Sequence, residues 1–425
     1  MSKTPRSLVR QPDFAKLWTA QTISQFGTQV SLLAIPLVAL VILKISPFEF
    51  GLLGAVEFLP FILFALPAGA WVDRLRRRPV LIAGDLGRAA SLASIPIAYQ
   101  LGVLSLSQLY VVGFINGTLT VFFDVAYQSY LPSLVDRDQI ADGNSKLEVS
   151  RSVAQIAGPG FGGFVISAVT APVAIAADAL SFVVSALFVL GIRKHEPAPD
   201  RNLRELGRAR AGMRREVVEG LRYVTGHPYL RSIAASTGWS NLFGTMVFVA
   251  LFPYMVRVLH LDAGAIGLVF GLGNVGALVG ALVCSRLAGT LGLGRTIIGS
   301  MFTFGPGLLL VAVAPQEAPA PFLVASGLVC FASAMVYNIN QVSFRQAITP
   351  ERMQGRMNAT MRFIVWGTIP VGQILGGALG TLVGLHETIW IGAIGATFAF
   401  LPLLVGPLRS LQVMPAPAET GAAEA

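Results

Sequence analysis

The chain has 425 residues, 54% of them hydrophobic and only 12% charged, where a soluble domain carries about a quarter charged residues. That composition excludes an ordinary water-soluble fold. Its 31 Lys and Arg against 22 Asp and Glu leave a net charge of +9, but the positive charges fall in alternate gaps between apolar segments, so the excess marks topology, not a nucleic-acid surface.

Crossing the hydrocarbon core takes roughly 20 apolar residues, and twelve segments qualify: 17–43, 48–72, 80–101, 106–128, 146–169, 171–192, 229–256, 263–289, 296–314, 320–344, 359–383 and 386–408. Basic residues gather before the first (Lys3, Arg6, Arg10, Lys16), after the second (Arg74, Arg76, Arg77, Arg78), and after the fourth (Arg137, Lys146, Arg151). They gather again from Arg193 to Arg231, at Arg286 and Arg295, at Arg345, Arg352, Arg356 and Arg362, and at Arg409. The intervening gaps hold only Lys44 and Arg257. Lys and Arg are retained on the cytoplasmic side, so this alternation predicts both termini inside. The first segment is too long for a signal h-region and lacks a small-residue cleavage site, which predicts a mature helix.

Span 1 places Gln21, Ser24, Gln25 and Thr28 on one helical face. Span 2 carries Glu57 about nine residues in, among Ala, Val, Phe and Leu. An ionisable group at that depth is a functional candidate by default, and a carboxyl there is suited to take up and release a proton. The following gap reads Gly69-Ala70-Trp71-Val72-Asp73-Arg74-Leu75-Arg76-Arg77-Arg78. In span 3, Asp85 and Arg88 are three apart and fit one face of a helix. Asp124 lies near the end of span 4, and Asp178 in span 6 is a second proton-carrier candidate. Span 5 contains Gly158-Pro159-Gly160-Phe161-Gly162-Gly163; Pro159 bends the helix and the glycines permit close packing.

The polar gap at 193–228 divides the spans six and six, and 213–224 has the periodicity of a short basic helix on the inner leaflet. The halves resemble each other. Phe26-Gly27-Thr28-Gln29-Val30 with Pro36 recurs as Phe243-Gly244-Thr245-Met246-Val247 with Pro253, and Asn144 with Gly162-Gly163 recurs as Asn358 with Gly376-Gly377. The offsets, 217 and 214 residues, mark duplication of a six-helix unit, an architecture that places substrate near the midplane between repeats. In the second half, Trp239, Asn241, Tyr337, Asn338, Gln341 and Trp366 are cavity candidates. With Gln21, Gln25 and Thr28 they suit a large, weakly polar or amphipathic ligand. Every intramembrane acid belongs to the first half, so a carboxylate proton carrier must come from there.

Several chemistries have no support. Gly271-Leu272-Gly273-Asn274-Val275-Gly276 fits G-x-G-x-x-G but lies inside an apolar span, and no G-x-x-x-x-G-K-[ST] element occurs. Cys284 and Cys330 lie within spans and read as apolar packers, while the four histidines (His195, His227, His260, His386) fall in loops or at helix ends. No metal, cofactor or catalytic group is expected.

The 69–78 gap resembles the loop signature of the major facilitator superfamily, with Arg76 where that family carries Gly. Gly158-Pro159-x-x-Gly162-Gly163 resembles the signature of its exporters. In texture, the stretch from Asp124 to Pro132 and Asn144 are similar to the branch of macrolide and enterobactin exporters. The resemblance implies that Asp73 caps the first turn of span 11, near Asn358 to Arg362. It implies also that Arg77 reaches Asp124, so that Asp73, Arg74, Arg77, Asp85, Arg88 and Asp124 latch the inner gate. Exporters in several branches use an Arg in span 4, four residues before a Gly; counting back from Gly117, this chain has Gly113.

The expected fold is an all-α membrane protein of twelve transmembrane helices in two six-helix pseudo-repeats with both termini cytoplasmic. Its expected parts are a bundle over 1–192, a loop over 193–228, a bundle over 229–408 and a disordered tail over 409–425. The expected function is a proton-coupled exporter of drugs or hydrophobic metabolites, a monomer in a bacterial inner membrane, with lipid, substrate and protons as its partners and no nucleic acid. An uncoupled facilitator or importer on the same fold, and a non-transporting receptor or assembly protein, are the alternatives; an enzyme is not expected.

Overall fold

A computed structural model of the protein describes residues 8–72, 74–194, 196 and 218–412. Hydrocarbon offers backbone amides no water, so a spanning segment must satisfy them internally, and apolar runs of this length fold as helices. Among the described residues, twelve helices are long and apolar enough to cross a membrane. They are α1 (Pro12–Leu37), α2 (Pro47–Val72), α3 (Arg77–Gln100), α4 (Leu106–Leu134), α5 (Ile140–Val169), α6 (Ala171–Leu190), α7 (Pro228–Arg257), α8 (Ala263–Leu291), α9 (Leu293–Ala312), α10 (Ala320–Ile348) and α11 (Glu351–Leu382). The twelfth, α12, runs over Leu385–Thr397, passes through a 3-10 turn at Phe398–Phe400 and resumes at Leu401–Val405.

Local chemistry sets the ends and bends. Pro12, Pro172 and Pro228 occupy first-turn positions, where a missing N–H removes no helical bond. The Ser105 hydroxyl accepts the Gln108 N–H at 3.3 Å and caps α4. Pro36 lies two residues before a π-helical turn at Val38–Ile42, the local widening expected where proline removes a bond from the ladder. α5 begins at Ile140, six residues before its apolar run, because its first turns are helical but polar.

The chain divides into two compact units. Unit 1 comprises residues 1–45, 56–201 and 261–271; unit 2 comprises 46–55, 202–260 and 272–425. In unit 1, α1 packs on α5 and α6, and α3 on α4 and α6. In unit 2, α7 packs on α11 and α12, and α9 on α10 and α12. The second set repeats the first at a shift of six helices, matching the internal sequence repeat. Each unit buries its own apolar cluster, around Phe14, Leu17, Phe123 and Tyr130 in one and around Leu230, Phe344, Met357 and Met361 in the other.

The connecting segment is docked on unit 2. A helix covers 218–226 among the described residues. Its Val224 is fully buried in the apolar cluster, and Glu219 pairs with Arg356 of α11 at 2.9 Å. The expected leaflet helix at 213–224 is therefore, where described, a buttress against α11; residues 213–217 lie outside the described residues.

Candidate functional site

Unit 1 residues line an open cavity of about 1030 Å³. Its wall is built from single faces of successive helices. α1 contributes Gln21, Ser24, Gln25, Thr28 and Ser31; α4 contributes Gly117, Thr120, Asp124, Tyr127 and Gln128. α5 adds Ala141, Asn144, Ser145, Glu148, Arg151 and Gln155. These steps of three and four residues keep one stripe of each helix toward the cavity. Glu57 and Phe61 of α2, Arg88 of α3, Phe123 of α4, and Asp178 and Phe182 of α6 complete the charged and aromatic lining.

The charges are unevenly partnered. Arg88 is buried and donates to Asp85 at 2.6 Å. Asp85 also accepts the Ser185 hydroxyl at 2.7 Å. The guanidinium carbon lies 4.2 Å from the ring centroids of both Phe123 and Phe182, a cation held between two aromatic faces. Asp178, only 1% exposed, accepts hydroxyls from Ser31 and from Ser181, the latter at 3.0 Å. Glu148 and Arg151 face each other at 4.0 Å on exposed turns of α5. Glu57 and Asp124 line the same cavity and form no hydrogen bond or ion pair among the described residues.

Glu57 owes its place to two glycines of α4. A Cβ on Gly113 would lie 3.3 Å from the Glu57 Cγ, and one on Gly117 would lie 3.1 Å from the Pro60 ring and closer still to the Glu57 carbonyl oxygen. A larger residue at either position would push α2 away, so the pair of glycines brings the carboxyl against α4.

Of the six residues of the expected latch, the five that are described are not gathered at one point. Asp73 lies outside the described residues, and Arg74 is exposed in the α2–α3 turn. Where Asp124 was the expected partner of Arg77, the guanidinium of Arg77 instead lies 3.5 Å from Glu196. Glu196 accepts the backbone N–H of Arg77 at 2.7 Å and of Arg78 at 3.1 Å. Arg78 donates to the carbonyl of Val189 at 3.2 Å and to that of Leu190. The basic cluster thus ties the exit of α6 to the start of α3, while Arg88 and Asp124 line the cavity and Asp85 is buried against Arg88. Arg76, standing where the resembled family has Gly, has φ −68° and ψ 129°, an extended conformation open to any residue.

The Gly-Pro element lies where α5 meets two neighbours within unit 1. Gly158 faces the Gln29 side chain and Gly162 the backbone of Val30, both in α1. Gly163 faces the first turns of α8, where a Cβ would meet the Ala263 carbonyl and lie 3.0 Å from the Gly267 Cα. Small residues four apart permit this close approach.

Among the unit 2 candidates, Trp239, Asn241 and Tyr337 join different helices of that unit, whereas the Gln341–Asn338 and Arg362–Trp366 contacts each lie within one helix. Trp239 donates to the Gly395 carbonyl at 2.8 Å and Asn241 to that of Val365 at 3.0 Å. The Tyr337 hydroxyl meets Thr237 at 2.7 Å, Gln341 donates to Asn338 at 3.1 Å, and Arg362 stands 5.4 Å over Trp366. Among the described residues no three His, Cys, Asp or Glu side chains converge on a metal-sized site.

Sequence reasoning missed Glu196, Glu148 and the aromatic lining. The spacing of Ala141, Asn144, Ser145, Glu148 and Arg151 carried a helical signal that hydropathy alone hides. Glu196 stands alone in a polar gap and carried none.

The profile of the family described as transmembrane secretion effector matches residues 3–419. The multidrug efflux pump Tap of Mycolicibacterium fortuitum is 26% identical over 84% of this chain and 88% of its own length. Macrolide efflux protein A of Streptococcus pyogenes is 22% identical over 94% of this chain and 97% of its own. Among solved structures, an inward-facing bacterial homologue of the iron transporter ferroportin superposes with a TM-score of 0.76 at 16% identity, covering 94% of this chain and 99% of that one.

Proposed function

From the premise that this chain belongs to the transmembrane secretion effector family, within the major facilitator superfamily, we propose that it is a proton-coupled exporter of amphipathic small molecules in a bacterial inner membrane. In this reading both termini are cytoplasmic and the substrate binds in the cavity of unit 1. The two six-helix repeats rock about it in alternating access. The coupled proton is carried by Glu57.

The observation that carries the reading is the unequal partnering of the acids. Asp85 holds Arg88, and Asp178 is satisfied by two serines. Titrating either would break a buried network. Glu57 faces a cavity of about 1030 Å³ with no hydrogen-bond or ion-pair partner among the described residues, so it can gain or release a proton without dismantling the bundle. Names of relatives such as the Tap pump and macrolide efflux protein A favour export of drug-like molecules. In the gate, Arg77 and Arg78 anchor α3 to the α6 exit, Arg74 stands in the α2–α3 turn, and Asp85, Arg88 and Asp124 set the charge of the cavity.

The test imposes a pH gradient across proteoliposomes and adds hydrophobic antibiotics and dyes in turn. Compound-dependent dissipation of the gradient in the wild type, lost in Glu57→Gln, is expected. Compound movement without proton flux would remove the coupling and leave a facilitator.

A further inference from the structure

We infer that unit 2 carries a binding site for an oxyanion, formed by Arg345 of α10 and Arg362 of α11. Its ligand is amphipathic, with a carboxylate or phosphate on the two guanidinium groups and an apolar body along Trp366. The site is built wholly from unit 2 and takes no part in the handling of protons at Glu57.

Other arginines near helix ends have partners. Arg78 donates to the carbonyls of Val189 and Leu190, and Arg356 of α11 pairs with Glu219 at 2.9 Å. The guanidinium groups of Arg345 and Arg362 form no hydrogen bond or ion pair among the described residues. Arg345 is half-buried, and its Nε is fully buried without an acceptor. A buried charged donor left in that state is costly. Arg362 adds to the cost, because it stands near enough to repel Arg345. Gln341, one turn back on α10, has its Oε1 buried and unpartnered, but an amide oxygen brings a dipole and no charge. Of the acids on the packed elements, Glu219 is taken by Arg356, and Glu351 is exposed in the first turn of α11. Two like charges with no counter-charge between them are what a bound anion resolves.

Placement narrows the ligand. Arg345 directly follows the apolar run 320–344, and Arg362 is the fourth residue of the run 359–383. Both therefore stand near the end of the unit where α10 turns into α11, at the depth where headgroups meet hydrocarbon. The offset that aligns Asn144 with Asn358 also aligns Glu148 with Arg362. Glu148 lines the unit 1 cavity, and Arg362 is likewise exposed, so the repeat has kept an open position and reversed its sign. Arg362 stands 5.4 Å over the Trp366 ring, a contact that steadies the guanidinium. The paired N–H groups of a guanidinium match the oxygens of a carboxylate or phosphate. Trp366, one turn further into the apolar run, receives the apolar part. A carboxylate on an aromatic body and the headgroup of an anionic phospholipid share this chemistry.

Two probes of nearly the same shape test the site. 2-Naphthoate and the neutral 2-naphthamide are offered to the full-length protein in nanodiscs of phosphatidylcholine. Saturable binding of naphthoate is expected, with partial quenching of tryptophan fluorescence and no displacement by the amide. Arg345→Gln and Arg362→Gln should each weaken binding by about tenfold or more, and the corresponding Lys variants should restore part of it. Trp366→Phe keeps both charges and should remove the quenching, which locates the site even if an arginine variant fails to fold. Nanodiscs containing phosphatidylglycerol separate the two sources. Naphthoate binding that persists there identifies a site for free organic anions. Loss of that binding, with phosphatidylglycerol retained by the detergent-purified wild type and released by the Gln variants, identifies a lipid headgroup. Absence of saturable naphthoate binding in phosphatidylcholine discs, equal binding of the amide, or quenching unchanged in Trp366→Phe overturns the inference. So do folded Gln variants that bind naphthoate as the wild type does. No gradient is imposed and no transport is read, so failure here leaves the proton-coupled reading standing, and failure of that reading leaves this site untouched.

Discussion

Glu196 and Arg77 are 119 positions apart in the chain, yet the Glu196 carboxylate takes the Arg77 backbone N–H at 2.7 Å and lies 3.5 Å from its guanidinium. One buried acid therefore caps α3 from a distance, with the Arg78 N–H at 3.1 Å as its second donor. A negative charge at this position also opposes the positive end of the helix dipole.

Glu196→Ala should lower stability by about 1–2 kcal/mol, the scale of a lost N-cap, seen as a lower unfolding temperature in detergent. Glu196→Gln keeps an acceptor oxygen and should lose less. Equal stability of all three proteins would show that the cap contributes nothing.

Two glycines of one motif should respond in opposite ways. A Cβ on Gly163 runs into the backbone of Ala263 and Gly267, whereas one on Gly160 meets nothing within 4 Å. Gly163→Ala should separate α5 from α8 and reduce transport in proteoliposomes several-fold. Gly160→Ala should leave transport intact and stabilise the helix by up to about 1 kcal/mol. Indistinguishable transport by the two variants would remove the close-packing account.

These examples mark what could be read in the sequence and what could not. All twelve helices were legible because each must supply roughly 20 apolar residues by itself. The repeat was legible because Phe26 and Phe243 head matching strings. The cavity was legible in part: helical spacing grouped Gln21, Gln25 and Thr28, and all three line it. Spacing on one helix does not reveal which face of another it meets, so Glu148 in the early turns of α5 escaped notice, as did the aromatic pair around Arg88. The partnership of Glu196 with Arg77 was illegible for a plainer reason: a loop carboxylate has no periodicity and its partner is fixed only by the tertiary fold.

The Asp85–Arg88 pair should be costly to break from either side. Asp85→Asn would leave a guanidinium without its counter-charge between two phenylalanines. Loss of one partner of a buried pair destabilises by about 3–5 kcal/mol. A sharp fall in the yield of folded protein and in its unfolding temperature is expected for Asp85→Asn and for Arg88→Gln. The double variant should recover a good part of the loss; the absence of recovery would mean that the two residues act independently.

His227 gives the docked helix a pH dependence. It stands between the rings of Tyr223 and Tyr229, at centroid distances of 5.9 and 5.8 Å, with Nδ1 buried and lacking a hydrogen-bond partner. Burial holds its imidazole below the ordinary value of 6.5, and the first turn of α7 beside it further disfavours a positive charge. The folded form therefore binds the proton less readily than the unfolded one. Its contribution to stability is complete above pH 6.5 and is lost as pH falls from there through the lower folded-state value. Amide exchange over 218–226 should accelerate on acidification in the wild type and not in His227→Phe; a dependence that survives the substitution assigns the effect to another group.

The strongest test of the Glu57 environment is to fill the space beside it. Gly113 stands four residues before Gly117, where exporters in several branches of the superfamily carry Arg, and a Cβ there would lie 3.3 Å from the Glu57 Cγ. In Gly113→Arg the new guanidinium can reach that carboxylate and hold it ionised, so compound-dependent proton flux in proteoliposomes should fall by about tenfold or more. Gly113→Ala introduces the Cβ without the charge and separates crowding from electrostatics: it should keep the proton flux with a modest loss of rate. If the Ala and Arg proteins lose proton flux equally, steric displacement of α2 accounts for the effect and the charge on Glu57 does not.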